Sequence, residues 1–175
     1  MINQSRHWGR LGLIAIGFWL VTVTISADPT GVAAGLSIET PNYDRVYWTP
    51  ALELQFPAGK GIEFETGLGY GINVDANNNP RFVLPIWGGM NVLFGESRNF
   101  QFLVGIGLKP QFMFGTDAWQ TLIGPYLKAG IRVAVHPSAQ WFLEVEQTLL
   151  IGPPKWLYTE TKVFSGINFN IGTAR

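Results

Sequence analysis

From residue 31 onward the sequence alternates apolar residues with polar or small ones in eight stretches, which short turns rich in Gly, Pro, Asn and Asp separate. Such alternation is typical of β-strands that have one apolar and one polar face. The strands are predicted at 31–40, 45–57, 61–73, 80–94, 99–114, 122–135, 140–151 and 160–171. An even number of strands joined by short connections predicts an all-β fold, an eight-stranded antiparallel up-and-down transmembrane β-barrel.

The distribution of charge between the two faces predicts which face points inward. In the third stretch Ile62 and Phe64 alternate with Glu63 and Glu65. Across the stretches the charged residues and the glycines occupy the same set of alternate positions, which we call their parity. Eight strands enclose a space that is just wide enough for side chains. We therefore expect the charged face to fill the interior and the Phe-, Leu- and Val-rich face to contact lipid.

This parity predicts a network of charges in the barrel interior. Its members are Glu39, Glu53, Glu63, Glu65, Arg81, Lys109, Lys128, Arg132, Glu144, Glu146 and Lys162. Buried charges must be paired, since an isolated buried ion is far less stable than a hydrogen-bonded pair. Six acids and five bases therefore predict a salt-bridge network that plugs the barrel. A proton or ion path along the same charges, and a catalytic carboxylate pair such as Glu63 with Glu65 or Glu144 with Glu146, are the alternatives.

Aromatic residues collect near both ends of the predicted strands, as the aromatic girdles of membrane barrels do. The candidates are Trp48, Trp119, Trp156 and Tyr158 at one rim and Phe56, Phe94, Trp141 and Phe169 at the other. Four prolines, Pro50, Pro85, Pro110 and Pro125, lie within strands and cannot donate a ladder hydrogen bond. They predict bulges or local bends.

The first 27 residues have a basic start, an apolar run from Leu11 to Ile25 and small residues before Asp28. This layout predicts a secretory signal peptide over 1–27 and a barrel domain over 28–175, with an uncleaved helical anchor as the alternative. The remaining chain has ten basic and twelve acidic residues, which gives no electrostatic case for binding nucleic acid. The absence of cysteine excludes disulfides and zinc–thiolate sites, and the sequence predicts no metal and no cofactor.

One short motif is a weak candidate for catalysis. His136 and Ser138 flank Pro137, and a His near a Ser is part of the chemistry of nucleophilic hydrolysis. The two residues resemble the His-x-Ser motif of the outer-membrane lipid A deacylases, which are eight-stranded barrels. A polar turn is the simpler interpretation of the same residues.

Residues 28–175 resemble the small outer-membrane β-barrel proteins that include the membrane domain of OmpA and OmpX. The resemblance rests on the leader, the eight alternating strands, the aromatic rims and two sequence segments, Pro125–Ile131 and Phe142–Glu146. Family members often end on an aromatic residue, which is an assembly signal, whereas here six residues follow Phe169. The resemblance implies a non-enzymatic integral protein of the Gram-negative outer membrane, exported by its signal peptide, whose partners are outer-membrane lipid and the barrel assembly machinery.

Three other functions are compatible with the sequence. A lipid-modifying barrel enzyme would lose activity when His136 or Ser138 is replaced. A narrow ion or proton pore would show a conductance that charge changes at Lys109 or Arg132 alter. A soluble lipocalin-like carrier would have its apolar face inside and would stay in the aqueous phase without detergent.

Overall fold

The computed structural model describes residues 30–74, 80–95, 99–115 and 119–171. The predicted signal peptide lies outside these residues, so the boundary at 27/28 stays a prediction. Parts of the predicted connections 74–79, 95–98 and 115–121 also lie outside them. Within the described ranges, no helix is long and apolar enough to cross a membrane.

The observed strands agree closely with the alternating stretches, except that the third stretch forms two strand segments. The strands are β1 (Gly31–Pro41), β2 (Tyr47–Gly59), β3 (Ile62–Gly69), β4 (Gly71–Val74), β5 (Pro80–Phe94), β6 (Phe100–Phe114), β7 (Gln120–His136), β8 (Ala139–Leu150) and β9 (Tyr158–Asn170). Because β3 and β4 both pair with β2 on one side and with β5 on the other, they occupy a single place in the wall. The barrel wall therefore has eight strand positions.

The sheet closes on itself through its first and last strands. Apart from β3 and β4, which share one place in the wall, consecutive strands pair antiparallel, and β1 pairs with β2 on one edge and with β9 on the other. Gly35 of β1, for example, lies opposite Ala51 and opposite Gly166. We call the end where β1 passes to β2 and β8 passes to β9 the loop end, and the opposite end, where β2 passes to β3 and β7 to β8, the turn end.

The prolines interrupt the hydrogen-bond ladder without shifting its register. The register of Ala51 with Gly69 and of Trp48 with Ile72 places Pro50 opposite Tyr70, where β3 and β4 are separated. The Tyr70 amide donates to the Pro50 carbonyl at 3.1 Å, but Pro50 has no N–H to return. The register shifts lie instead at Pro57/Gly59 and Ala134/His136 at the turn end. The bulges expected at the four strand prolines are therefore wrong, whereas the local bends expected as the alternative stay a prediction.

The two faces of the strands point as the sequence predicts. Phe102, Ile106 and Leu127 are 54%, 56% and 57% exposed on the outer surface, whereas Glu65 and Lys128 are almost fully buried in the interior. A lipocalin-like carrier needs the opposite arrangement, with the apolar face inside. The structure therefore excludes that alternative.

The interior also contains two apolar clusters. The first consists of Trp87, Tyr126, Phe142 and Phe164 with Ala33 and Ala51, and it lies in the middle of the barrel. The second consists of Leu122, Leu150 and Tyr158, with Met113 against it, and lies at the loop end. Tyr158 was expected in the aromatic girdle with Trp48, Trp119 and Trp156, but its side chain is inside the barrel, because it occupies the same alternate positions of β9 as the buried Glu160 and Lys162.

A pair of glycines tests the packing around Trp87. A Cβ on Gly67 would overlap the Trp87 ring, whereas a Cβ on Gly88 would meet only the Glu65 carbonyl oxygen at 3.7 Å. We expect Gly67→Val to lower the free energy of unfolding by about 1–3 kcal/mol, because a filled core tolerates extra volume poorly. Gly88→Val is the matched control and should leave it unchanged or higher, since valine favours strands. Urea titration of both variants measures the difference, and equal midpoints would contradict the packing argument.

Candidate functional site

Buried charges form the principal polar feature of the barrel interior. Ten of the eleven charges expected in the lumen are buried, namely Glu39, Glu53, Glu63, Glu65, Lys109, Lys128, Arg132, Glu144, Glu146 and Lys162. Arg81 on β5 is half-buried. Alternation places all of them on inward-facing positions, so the strand register brings together residues that are distant in sequence.

The charges near the loop end form one cluster, which we call the loop-end cluster: Glu39, Lys109, Glu146, Glu160 and Lys162. The Lys109 ammonium forms an ion pair with Glu160, lies 3.1 Å from Glu146 Oε1 and lies 3.9 Å from Glu39 Oε2. Glu146 also lies 3.6 Å from the Lys162 ammonium. Lys109 is fully buried, so these carboxylates replace the water that an exposed ammonium would bind.

The remaining charges form the turn-end cluster: Glu53, Glu63, Glu65, Lys128, Arg132 and Glu144. Lys128 pairs with Glu65, lies 2.7 Å from Glu144 Oε2 and lies 3.7 Å from Glu53 Oε2. Arg132 binds Glu63 with both terminal nitrogens, Nη1 at 3.0 Å and Nη2 at 2.6 Å. This two-point geometry is the strong form of an arginine–carboxylate pair.

Neutral donors complete the coordination of the turn-end carboxylates. Tyr126 donates its hydroxyl to Glu65 at 2.7 Å, and Trp87 donates its indole N–H to Glu53 at 3.0 Å. Asn91 donates one amide group to both Glu63 and Glu65, at 2.9 and 2.6 Å. These donors satisfy carboxylate oxygens for which the two cations alone would not suffice, so the four buried carboxyl groups do not depend on Lys128 and Arg132 alone.

An aromatic layer lies between the two clusters. The Lys162 ammonium sits 3.6 Å from the centroid of the Trp87 ring and 5.1 Å from that of Phe164, and Phe142 packs edge-on against Phe164 at 4.7 Å. Trp87 therefore contacts both clusters, since its ring faces Lys162 and its N–H binds Glu53. The layer and the ion pairs together fill the middle of the interior with side chains.

The candidate carboxylate pairs are bound to cations in the structure. Glu63 is held by Arg132 and Glu65 by Lys128, while Glu144 and Glu146 belong to different clusters. Among the described residues, no group of three or more His, Asp or Glu side chains could hold a metal ion. The arrangement therefore supports counter-ion roles for these glutamates.

His136 and Ser138 lie together in the exposed turn between β7 and β8. The His136 Nδ1 atom is 2.9 Å from the Ser138 hydroxyl and also accepts a longer bond from the Ser138 amide at 3.3 Å. Within the described part of the chain, no carboxylate is hydrogen-bonded or ion-paired to the imidazole, so no third group orients it. The contact has the form of a local turn interaction.

The predicted girdle residues differ in exposure. Trp48, Phe94, Trp119, Trp156 and Phe169 are exposed, Trp141 is half-buried, and Phe56 is only 5% exposed. Trp119 packs edge-on against Phe114 at 5.0 Å between ring centroids. The assignment of these residues to the two membrane interfaces stays a prediction.

Glu160 and Trp87 are two of the interior residues that sequence reasoning missed. Glu160 is fully buried and pairs with Lys109, and its even parity, shared with Lys162, was the available signal. Trp87 occupies one of the inward-facing positions of β5, where an apolar residue makes the alternation of that stretch less regular. In the structure it is the centre of the aromatic layer. Both positions follow the strand parity and do not depart from it.

No protein-family model matches the sequence, and no curated protein matches it. Among solved structures, Neisserial surface protein A (NspA) aligns with a TM-score of 0.66 and 12% identity over 81% of this chain and 95% of that chain. The N-terminal β-barrel domain of Pseudomonas aeruginosa OprF aligns with a TM-score of 0.49 and 14% identity over 81% of this chain and 98% of that chain. Ail, the attachment invasion locus protein of Yersinia pestis, aligns with a TM-score of 0.47 and 9% identity over 79% of this chain and 95% of that chain.

The likeness to NspA confirms the predicted fold. The chain has the architecture of the small eight-stranded outer-membrane β-barrels, closed, antiparallel and without a helix among its described residues. At 12% identity the likeness shows the fold alone.

Proposed function

We propose that this protein is an integral outer-membrane β-barrel with a structural or surface-presenting role and an interior plugged by ion pairs. The observation that carries the proposal is the inverted distribution of side chains. Large apolar residues such as Phe102, Ile106 and Leu127 cover the outer wall, whereas the charged side chains pair inside. In water such a wall would be an exposed apolar surface far larger than soluble monomers carry.

Lipid is the environment in which this wall is stable. A closed barrel satisfies its backbone hydrogen bonds between neighbouring strands and leaves no open sheet edge exposed to hydrocarbon. The β1–β9 pairing provides this closure. Outer-membrane lipid is therefore the proposed surrounding partner, and the barrel assembly machinery is the proposed partner for insertion.

The filled interior supports a structural role over transport. Lys162, Trp87 and Phe164 occupy the middle of the barrel, and ion pairs lie on both sides of them. The connections at the loop end that are described throughout, 42–46 and 151–157, are short. Short connections on a rigid barrel suit the presentation of a small surface outside the cell.

Membrane fractionation combined with gel mobility tests the proposal. The full chain, expressed in a Gram-negative host, should be found in the outer-membrane fraction, and it should migrate differently in SDS gels before and after boiling because a closed barrel resists SDS until heated. A control sample unfolded in urea beforehand should give only the boiled mobility. Recovery of the folded protein in the soluble fraction would contradict the proposal.

A further inference from the structure

Several outward-facing hydroxyl groups are satisfied by the barrel wall itself. Thr40, Thr66 and Ser165 each donate to a backbone carbonyl of the neighbouring strand, at 3.1, 3.1 and 3.0 Å. A polar group that faces hydrocarbon has to find its partner within the protein, and a short hydroxyl side chain reaches a wall carbonyl easily. These three side chains therefore need no partner in the surrounding lipid.

Gln147 is an outward-facing side chain that is bonded differently. It lies on β8 between Val145 and Leu149, which are 48% and 42% exposed on the outer wall. Thr161 donates its hydroxyl to Gln147 Oε1 at 2.8 Å, and Gln147 Nε2 donates to the Tyr43 hydroxyl at 3.3 Å. The Tyr43 and Thr161 hydroxyls are 3.1 Å apart, so the three side chains form a closed ring of hydrogen bonds, which we call the polar ring.

The polar ring leaves one N–H of the amide over. A glutamine amide has two N–H groups, and the Tyr43 hydroxyl accepts one of them. In the described part of the chain no second acceptor is bonded to Gln147 Nε2. The hydrogens of the Tyr43 and Thr161 hydroxyls are used within the ring. The ring therefore offers its surroundings a single neutral donor.

The position of the polar ring fits the border between hydrocarbon and lipid headgroups. Tyr43 belongs to the connection 42–46 at the loop end, whereas Gln147 lies three residues before the end of β8. In the strand register Gln147 is opposite Leu127, and Leu127 is opposite Ile106 near the middle of β6. The ring thus reaches from the rim into the apolar wall, the depth at which acyl chains join their headgroups.

Gln147 also lines a shallow groove on the outer wall. The groove has a volume of about 320 Å³, at the lower end of the range for small-molecule sites, and its lining includes Pro125, Leu127, Leu149 and Thr159. It crosses β8 between β7 and β9, and no charged side chain belongs to this lining. A groove of this kind suits an apolar chain with one neutral polar group. A phosphate would bind better to cations.

We propose that Gln147 is the centre of a binding site for one ester-linked membrane lipid, whose acyl carbonyl accepts the remaining N–H while its acyl chain lies in the groove. The inference rests on the proposed placement in the membrane and adds a specific lipid contact to it. A second copy of the chain would present a convex wall, which does not enter a narrow groove. The lipid satisfies the donor that the barrel wall leaves over.

The backbone of the connection 42–46 supports this site. Asn42 and Tyr43 have φ angles of 52° and 58°, in the left-handed region that residues other than glycine rarely adopt. This conformation accompanies the return of the Tyr43 side chain to the outer wall, where it meets Gln147 and Thr161. Strain of this kind is often kept where it positions a functional group. Tyr43 is therefore a positioning residue for the amide.

Vesicles of two matched phosphatidylcholines test the site, because a diester lipid has the acyl carbonyl and a diether lipid of equal chain length lacks it. The full chain is folded into both kinds of vesicle, and urea titration gives its unfolding constant in each. The stabilisation by the diester lipid relative to the diether lipid should be about fivefold greater for the wild type than for Gln147→Leu, which is the effect of one net hydrogen bond. Leucine removes the amide and remains compatible with hydrocarbon.

Thr66→Val is the matched control. It also removes a polar group from the outer wall, but one that is already bonded to the Trp87 carbonyl, so it should keep the diester preference of the wild type. Equal preferences in the wild type and Gln147→Leu, or an equal loss in Thr66→Val, would overturn the proposal. Failure of Gln147→Leu to fold would also overturn it, since the amide would then support the barrel itself.

Native mass spectrometry and gel mobility complete the test. Protein released from the diester vesicles should retain one phosphatidylcholine, and Gln147→Leu should retain none. Insertion of the wild type into both kinds of vesicle without a diester preference would overturn the lipid site and leave the proposed function intact, whereas failure to insert into either would overturn both. A wild-type dimer that Gln147→Leu abolishes would assign this face to a second copy and overturn the lipid site.

Discussion

Replacing Lys128 with methionine should lower the free energy of unfolding by about 3–5 kcal/mol, the range observed when one partner of a buried ion pair is removed. Methionine keeps most of the volume of the side chain but removes the ammonium that Glu53, Glu65 and Glu144 share. Three carboxylates then lose their common cation inside the barrel. Urea titration of the refolded protein, with the folded fraction measured by gel mobility, gives the difference.

Two further variants separate charge from packing at Lys128. Lys60 is an exposed lysine in the turn between β2 and β3, so Lys60→Met should change the free energy of unfolding by less than about 0.5 kcal/mol. Adding Glu65→Gln to Lys128→Met should recover part of the loss, because it removes one of the uncompensated charges. An unchanged urea midpoint for Lys128→Met would show that the network does not hold the barrel together.

Replacing Ile106 with arginine should destabilise the barrel in lipid by about 2–4 kcal/mol, as expected for a cation at the centre of the bilayer. Ile106 lies near the middle of β6, points outward and is more than half exposed. An arginine there would have to leave water for hydrocarbon. Reversible unfolding from lipid vesicles measures the loss.

Val135 provides the matched comparison for Ile106. It is also exposed on the outer wall but lies next to the end of β7, at the turn end. Val135→Arg should therefore cost only about 0–1 kcal/mol, because its guanidinium reaches the interface. If the outer wall faced water, both substitutions would be nearly neutral, and that result would refute the membrane placement.

Strand positions and strand faces could be predicted from the sequence because both follow from local alternation. The stretches expected at 80–94 and 99–114 are observed as Pro80–Phe94 and Phe100–Phe114. The parity of Glu63 and Glu65 likewise predicted their burial. A one-residue slip would move every charge of a strand to the outer face, so the pattern specifies the register strongly.

The partners within the interior could not be predicted in the same way. Parity shows that Lys109 and Lys128 point inward, but the height at which each meets a carboxylate depends on strand tilt and stagger around the barrel. Lys109 meets Glu160 and Lys128 meets Glu65, pairs that are 51 and 63 residues apart in sequence. These contacts form across the lumen or between distant strands, where alternation carries no information.

The pairing of β1 with β9 determines when this protein can finish folding. The two strands that complete the wall lie at opposite ends of the described chain, Gly31–Pro41 and Tyr158–Asn170. Contacts between such distant segments form slowly, since a long loop must close first. Until Tyr158–Asn170 has been synthesised, β1 and β8 each keep an unpaired edge that can join with another chain. Chains truncated before β9 should therefore aggregate through these unpaired edges.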